Sequence, residues 1–144
     1  MILSHIRIAA GISESQALMC NEGRIFAFDR DQRRLKTMQS LLKQRHVTCV
    51  EACEKDFLTA SPKDSRYKEV THFLLDPSCS SSGVSAEPLE DLEELVENQK
   101  ELILHAMCFP SCERIAYSTC SVNEEENEHV VRAAPRQAYT RSLT

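Results

Sequence analysis

Tryptophan is absent from this 144-residue sequence, glycine occurs only three times, and no apolar run is long enough to cross a bilayer. Together with 42% hydrophobic and 27% charged residues, this composition excludes collagen-like, mucin-like and strongly disordered classes and leaves a soluble globular domain. A clean apolar centre followed by a small-residue cleavage site is also lacking: Met1 to Ile12 is mildly apolar but carries His5 and Arg7. No signal peptide and an intracellular chain are therefore expected. Positive charge is short as well, with 17 Lys and Arg against 22 Asp and Glu for a net charge of −5. The basic face of an autonomous nucleic-acid binder is not evident.

Cysteine is plentiful, with seven at positions 20, 49, 53, 79, 108, 112 and 120. The odd number and the missing secretory signal favour reduced thiols. Cys49/Cys53 and Cys108/Cys112 share a C-x3-C spacing, but without the C-x2-C spacing or histidine partners of a structural zinc site they read as small buried hydrophobes.

The length suits one domain. Arg24 to Asp29 is a β-rich run ending in an acid, preceded by the turn signal Asn21-Glu22-Gly23. Asp31 can cap a helix over 31–45 whose Leu35, Met38, Leu41 and Leu42 recur at helical spacing. Further strands are expected at 47–53, 70–75 and 114–118, and further helices at 89–108 and 122–133, the last opened by a capping box at Ser121 and Glu124. From Ala134 onward no period is visible, and a frayed tail over 134–144 is expected. Strands alternating with helices argue an α/β fold with a mostly parallel sheet, doubly wound or close to it.

Ligands in such sheets sit beyond the carboxyl ends of the strands. Phe73-Leu74-Leu75 halts at Asp76 and turns into Pro77-Ser78-Cys79-Ser80-Ser81-Ser82-Gly83, and Ile115-Ala116-Tyr117 turns into Ser118-Thr119-Cys120-Ser121. If those two strands are neighbours, Cys79 and Cys120 meet over one site, with Asp76 at its rim. Asp29 ends a strand and Asp56 closely follows another; taken alone, each also reads as a helix cap or a solvated charge. A thiol just before a helix has its thiolate favoured, while the glutamates near Cys120 act in the opposite sense. Ordinary buried thiols are the competing reading.

The two loops, followed by Glu124-Glu125-Glu126-Asn127-Glu128, resemble the paired fourth and sixth motifs of the Sun-domain (Nol/Nop/Sun) RNA cytosine-5 methyltransferases. The form Leu74-Leu75-Asp76-Pro77-Ser78-Cys79-Ser80, with Ile25 to Asp29 upstream, is most similar to the branch that acts on large-subunit ribosomal RNA. The likeness covers roughly Gly23 to Arg132 and rests on two separate cysteine motifs in the family's order. It implies a Rossmann-like fold, S-adenosylmethionine as cofactor, RNA, in particular rRNA, as partner, and a nuclear or nucleolar location. By the same resemblance, Cys120 matches the nucleophile that adds to carbon 6 of cytosine and Cys79 the cysteine that assists release. Asp76 matches the acid that binds the flipped base beside the cofactor, Asp29 the acid on the cofactor's ribose and Asp56 the acid near its adenine. A cytosine within a duplex is out of reach of such chemistry, so a single-stranded or extruded base is implied.

The sequence also departs from the family. Nothing in Met1 to Asn21 resembles the glycine-rich first motif, Ser81 stands where the family usually has glycine, and the family's last strands and basic RNA-binding region are not seen. The expectation is a domain over 23–133 truncated at both ends, preceded by a divergent segment over 1–22, with the first strand of the sheet missing and two edges unpaired. Two readings follow: an RNA methyltransferase by descent, weak or inactive as this chain alone, or a non-catalytic remnant that binds a partner through an open sheet edge. A thiol redox enzyme or cysteine phosphatase is a more distant alternative, since the phosphate loop with its arginine is absent.

Overall fold

A computed structural model describes residues 1–4, 21–84 and 92–142, with side chains described at 1–2, 21–84 and 92–136. The strands are β1 (Ile2–Ser4), β2 (Ile25–Asp29), β3 (Val50–Glu54), β4 (His72–Leu75) and β5 (Arg114–Tyr117), and the α-helices are α1 (Gln32–Gln44), α2 (Leu92–Met107) and α3 (Glu128–Ser142). Among the described residues the strands form one all-parallel sheet in the order β3-β2-β1-β4-β5. That is the order in which chain direction reverses about a central first strand, leaving a crevice at the carboxyl ends of β1 and β4.

The expected strands on either side of the first-strand position are there, but the position is filled. Ile2 pairs with Phe26 on one side and Phe73 on the other, and the register continues through Ser4. The first strand, expected to be missing, is therefore present at Ile2–Ser4. Three residues are too few to show a strand's period, so Ile2-Leu3-Ser4 carries no readable signal until its neighbours are known. The segment in which the glycine-rich motif was sought, including Gly11, lies mostly outside the described residues.

β2 is buried along its whole length, as expected of a strand covered on both faces. Its alternate side chains enter two cores. Ile25 and Ala27 pack with Leu35 and Met38 of α1, while Phe26 and Phe28 pack with Phe73 and Leu75 of β4 and with Leu102 to Ala106 of α2. Helices thus cover both faces. An aromatic cluster ties the β3–β4 connection and the end of α2 to the second face: Phe57 stacks on Phe109 at 5.8 Å and Phe73 meets Phe109 at 5.1 Å. Each such pair contributes about 0.5–1.5 kcal/mol beyond its buried area.

Local chemistry sets the ends of α1. Asp31 Oδ1 accepts from the amides of Arg33 and Arg34 at 2.8 and 3.3 Å, the cap read from the sequence. The strand expected at 47–53 starts later, at Val50, because Asn21 holds Thr48 outside the ladder, accepting from its amide at 2.9 Å.

Near the carboxyl end the expectations need correction. Ser121 and Glu124 make no capping box: Ser121 Oγ accepts from Asn123 N, and a 3-10 turn at Glu124–Glu126 precedes α3. The expected frayed tail is helical, since α3 continues through Pro135 to Ser142. Proline disfavours a helix interior, but Val130 and Ala134, one turn apart, are both fully buried in the α2 core. Tertiary packing of that stripe carries the helix past the break. Cys49 and Cys53 are buried as expected, whereas Cys108 is exposed and Cys112 half-buried.

Candidate active site at the carboxyl ends of β4 and β5

β4 and β5 are adjacent and in register, with Leu75 opposite Tyr117, and Ser118 N donates to Leu75 O at 3.0 Å just beyond the last pair. Four residues after Leu75 and three after Tyr117, the two loops deliver a cysteine to the same spot. Cys79 Sγ and Cys120 Sγ lie 3.0 Å apart, and Cys120 N donates to Cys79 Sγ at 3.4 Å. Both side chains are half-buried. Burial and the shared hydrogen bond with Cys120 push the Cys79 thiol up from its ordinary value.

Serines and one glycine fasten the loops to each other. Ser121 Oγ meets Ser80 Oγ at 3.2 Å and Ser82 Oγ at 2.9 Å, and Gly83 N donates to Cys120 O at 3.1 Å. A β-carbon on Gly83 would stand 2.8 Å from that carbonyl oxygen, so the close approach requires glycine. Ser81 adopts φ 55°, a left-handed conformation unusual for a residue with a β-carbon. Its Oγ accepts from Cys120 Sγ at 3.3 Å.

Beneath the pair sits Glu126, whose side chain is fully buried. Its Oε1 accepts from Ser80 N at 2.9 Å and from Gln99 Nε2 of α2 at 3.0 Å; its Oε2 accepts from Ser80 Oγ and from Asn123 Nδ2 at 3.3 Å. Burial raises its pKa, but these donors outweigh burial and hold it below the ordinary 4.5. Gln99 also donates to Ser78 O at 3.0 Å, so α2 reaches both loops. Tyr117 Oη donates to Glu126 O at 2.7 Å, and burial with the neighbouring carboxylates pushes its phenol far up, keeping it a donor.

Asp76 is half-buried one residue beyond β4. Asp56 caps the 3-10 turn at Phe57–Thr59 and pairs with Arg30 at 3.4 Å. It lines a cavity of about 80 Å³ with Arg30, Leu58, Pro77, Asn98 and Leu102. Asp29 stands at the end of β2, but its carboxylate is fully covered: Arg34 grips it through Nε at 2.9 Å and Nη2 at 2.8 Å, and Asp31 N donates at 2.8 Å. The structure thus joins Cys79 and Cys120 directly, sets Asp56 on a neighbouring cavity, and closes Asp29 within an ion pair.

The profile of the 16S rRNA methyltransferase RsmB/F family matches residues 12–143. The chain belongs to the RsmB/F family. Among its relatives, a mouse 28S rRNA (cytosine-C(5))-methyltransferase is 48% identical over 128 residues, covering 82% of this chain and 28% of the mouse protein. The human putative methyltransferase NSUN5C is 46% identical over 135 residues, covering 87% of this chain and 43% of that one. The chain therefore spans less than half the length of these relatives. The solved structure of NSun6 from Pyrococcus horikoshii with SFG superposes with a TM-score of 0.78 at 26% identity, over 94% of this chain and 36% of that one.

The RsmB/F match runs beyond the limits of Gly23 and Arg132 read from the motifs, taking in part of the segment before β2 and all of α3. Glu126 and Gln99, which hold the two RsmB/F loops together, escaped the sequence reading. Glu126 was hidden in an acidic run that suggests a solvated helix start, and Gln99 in a helix read for its apolar face. The one available signal was Gln99 itself, a polar residue four positions before Ile103 on that buried face.

Proposed function

We propose that this chain is part of the catalytic domain of an rRNA cytosine-5 methyltransferase that uses S-adenosylmethionine, with Cys120 as nucleophile and Cys79 as the second thiol. The observation that carries the proposal is the 3.0 Å approach of the two sulfurs at the carboxyl ends of adjacent parallel strands, in a chain of the RsmB/F family. Cys120 Sγ adds to carbon 6 of a cytosine, which makes carbon 5 nucleophilic. When bound, S-adenosylmethionine supplies an electrophilic methyl group for that carbon. Release requires the carbon-5 proton to leave and the bond from carbon 6 to Cys120 Sγ to break, which returns the Cys120 thiolate; Cys79 stands next to that sulfur and assists this elimination. Asp76, from the same loop, binds the exocyclic edge of the base.

The described residues fit the adenosine end of this cofactor. Leu58, Pro77 and Leu102 give the cavity beside Asp56 apolar sides, and Asp56 and Asn98 give it polar edges. Asp56 would hold the adenine edge, Asp76 would hold the cofactor beside the base, and Asp29 would hold the ribose once Arg34 shares its carboxylate. A support for cofactor use is the NSun6 structure from Pyrococcus horikoshii, solved with SFG, an S-adenosylmethionine analogue. The RNA is large-subunit rRNA, by the name of the mouse relative, and the place of action is the nucleolus.

The test is adduct formation. Large-subunit rRNA transcribed without modification is incubated with the chain and S-adenosylmethionine, and the mixture is run on a denaturing gel. The expected result is a covalent protein–RNA species that accumulates with Cys79→Ala and is absent from Cys120→Ala. An adduct that persists in Cys120→Ala would remove Cys120 from the reaction.

A further inference from the structure

We propose that Cys79 and Cys120 form a reversible disulfide when the protein meets a hydroperoxide, which makes the pair a site of oxidative modification. Their sulfurs are 3.0 Å apart across a sequence separation of 41 residues, and a disulfide needs about 2.05 Å, so closure asks for a movement of only about 1 Å. The approach is built in rather than incidental. Ser121 bridges Ser80 and Ser82, Gly83 N is bonded to Cys120 O, and Glu126 holds Ser80 from below. Both thiols are half-buried and within reach of a small oxidant, whereas Cys49 and Cys53 are buried.

The chemistry balances in two steps. The Cys120 thiolate attacks one oxygen of hydrogen peroxide, the O–O bond breaks, hydroxide leaves and takes up the thiol proton as water, and the sulfur becomes a sulfenic acid. Cys79 Sγ then attacks that sulfur, the S–S bond forms, and the S–O bond breaks with departure of a second water. The two sulfurs lose two electrons in all, and the peroxide is reduced to two waters. A dithiol reverses the process by exchange. Because Cys79 is held protonated by burial and by its contact with Cys120, it enters second. The consequence for methyl transfer rests on the assignment of Cys120 as nucleophile; the oxidation itself does not.

The experiment uses the whole chain with hydrogen peroxide in slight excess, followed by N-ethylmaleimide and peptide mass mapping. The expected result is a crosslinked Cys79–Cys120 peptide with loss of two alkylatable thiols, recovered with dithiothreitol, while exposed Cys108 is still alkylated. In Cys79→Ser, whose fold is checked by circular dichroism, Cys120 stops at sulfenic acid and is labelled by dimedone. Full alkylation of Cys79 and Cys120 at peroxide levels that already oxidise Cys108 would overturn the proposal, as would crosslinks made mainly through Cys108. Should the disulfide form while the oxidised chain still makes the RNA adduct, the nucleophile assignment fails and the oxidation site stands.

Discussion

Removing Glu126 separates the two loops from their common support, and the structure sets the scale. In Glu126→Ala four hydrogen bonds are lost, but three of the donors keep another partner: Gln99 has Ser78 O, Ser80 Oγ has Ser121 Oγ, and Asn123 Nδ2 has Ser80 Oγ at 3.2 Å. The backbone N–H of Ser80 has only Glu126. One orphaned buried N–H costs about 1–3 kcal/mol, and losing charge-assisted bonds adds a similar amount. The expected destabilisation is therefore about 3 kcal/mol, a large part of the roughly 5–15 kcal/mol that holds a domain together. Glu126→Gln keeps an acceptor for Ser80 N and Gln99 but turns a donor toward Asn123, and should cost about half as much.

Urea unfolding followed by circular dichroism reads both variants. The pH dependence supplies an independent arm. Glu126 is held below its ordinary 4.5 in the folded chain, so its contribution is complete above that value and is lost as pH falls through the folded pKa. The parent should lose stability more steeply than Glu126→Gln in that acid window. An alanine variant as stable as the parent, or identical acid slopes for parent and Glu126→Gln, would refute the role given to this carboxylate.

Ser81 at φ 55° carries strain of about 1–2 kcal/mol that glycine does not, so Ser81→Gly should exceed Ser81→Ala in stability by about 1 kcal/mol, both having lost the hydroxyl near Cys120; equal urea midpoints would contradict this. Gly83→Ala forces a β-carbon toward the Cys120 carbonyl at 2.8 Å, so it should destabilise by about 1–3 kcal/mol and slow Cys79–Cys120 crosslinking by peroxide, and an unchanged crosslinking rate would sink the link between that contact and the thiol geometry.

How much of this was legible depended on the length over which each signal could repeat. β2 and α1 announced themselves through five consecutive buried positions and a capped amphipathic turn, and the convergence of Cys79 and Cys120 followed from two similar strand-to-loop transitions. β1 did not, since Ile2–Ser4 becomes a strand only through the pairing of both sides with β2 and β4. α3 was lost at Pro135 because local propensity points to a stop there, and the burial of Val130 and Ala134 that overrides it is a tertiary fact. Cys108 failed for a related reason: the last turn of α2 exposes it, and a spacing shared with Cys112 carries no information about which face looks inward.

Asp29 shows where position and availability part. A strand that ends in an acid and is followed by a short turn into a helix places that acid at the mouth of the crevice, which is why ribose recognition was read there. The same geometry brings the first turn of the helix back over the strand end, and Arg34, five residues on, arrives within 2.8 Å of the carboxylate. Burying a carboxylate at that depth requires a partner, and Arg34 is that partner. The guanidinium is itself 45% exposed, so solvent screens the pair and lowers the cost of loosening it. Asp31 N also fixes the orientation of the carboxylate, so a hydroxyl-bearing ligand at this strand end would have to displace Arg34 rather than reorganise the strand.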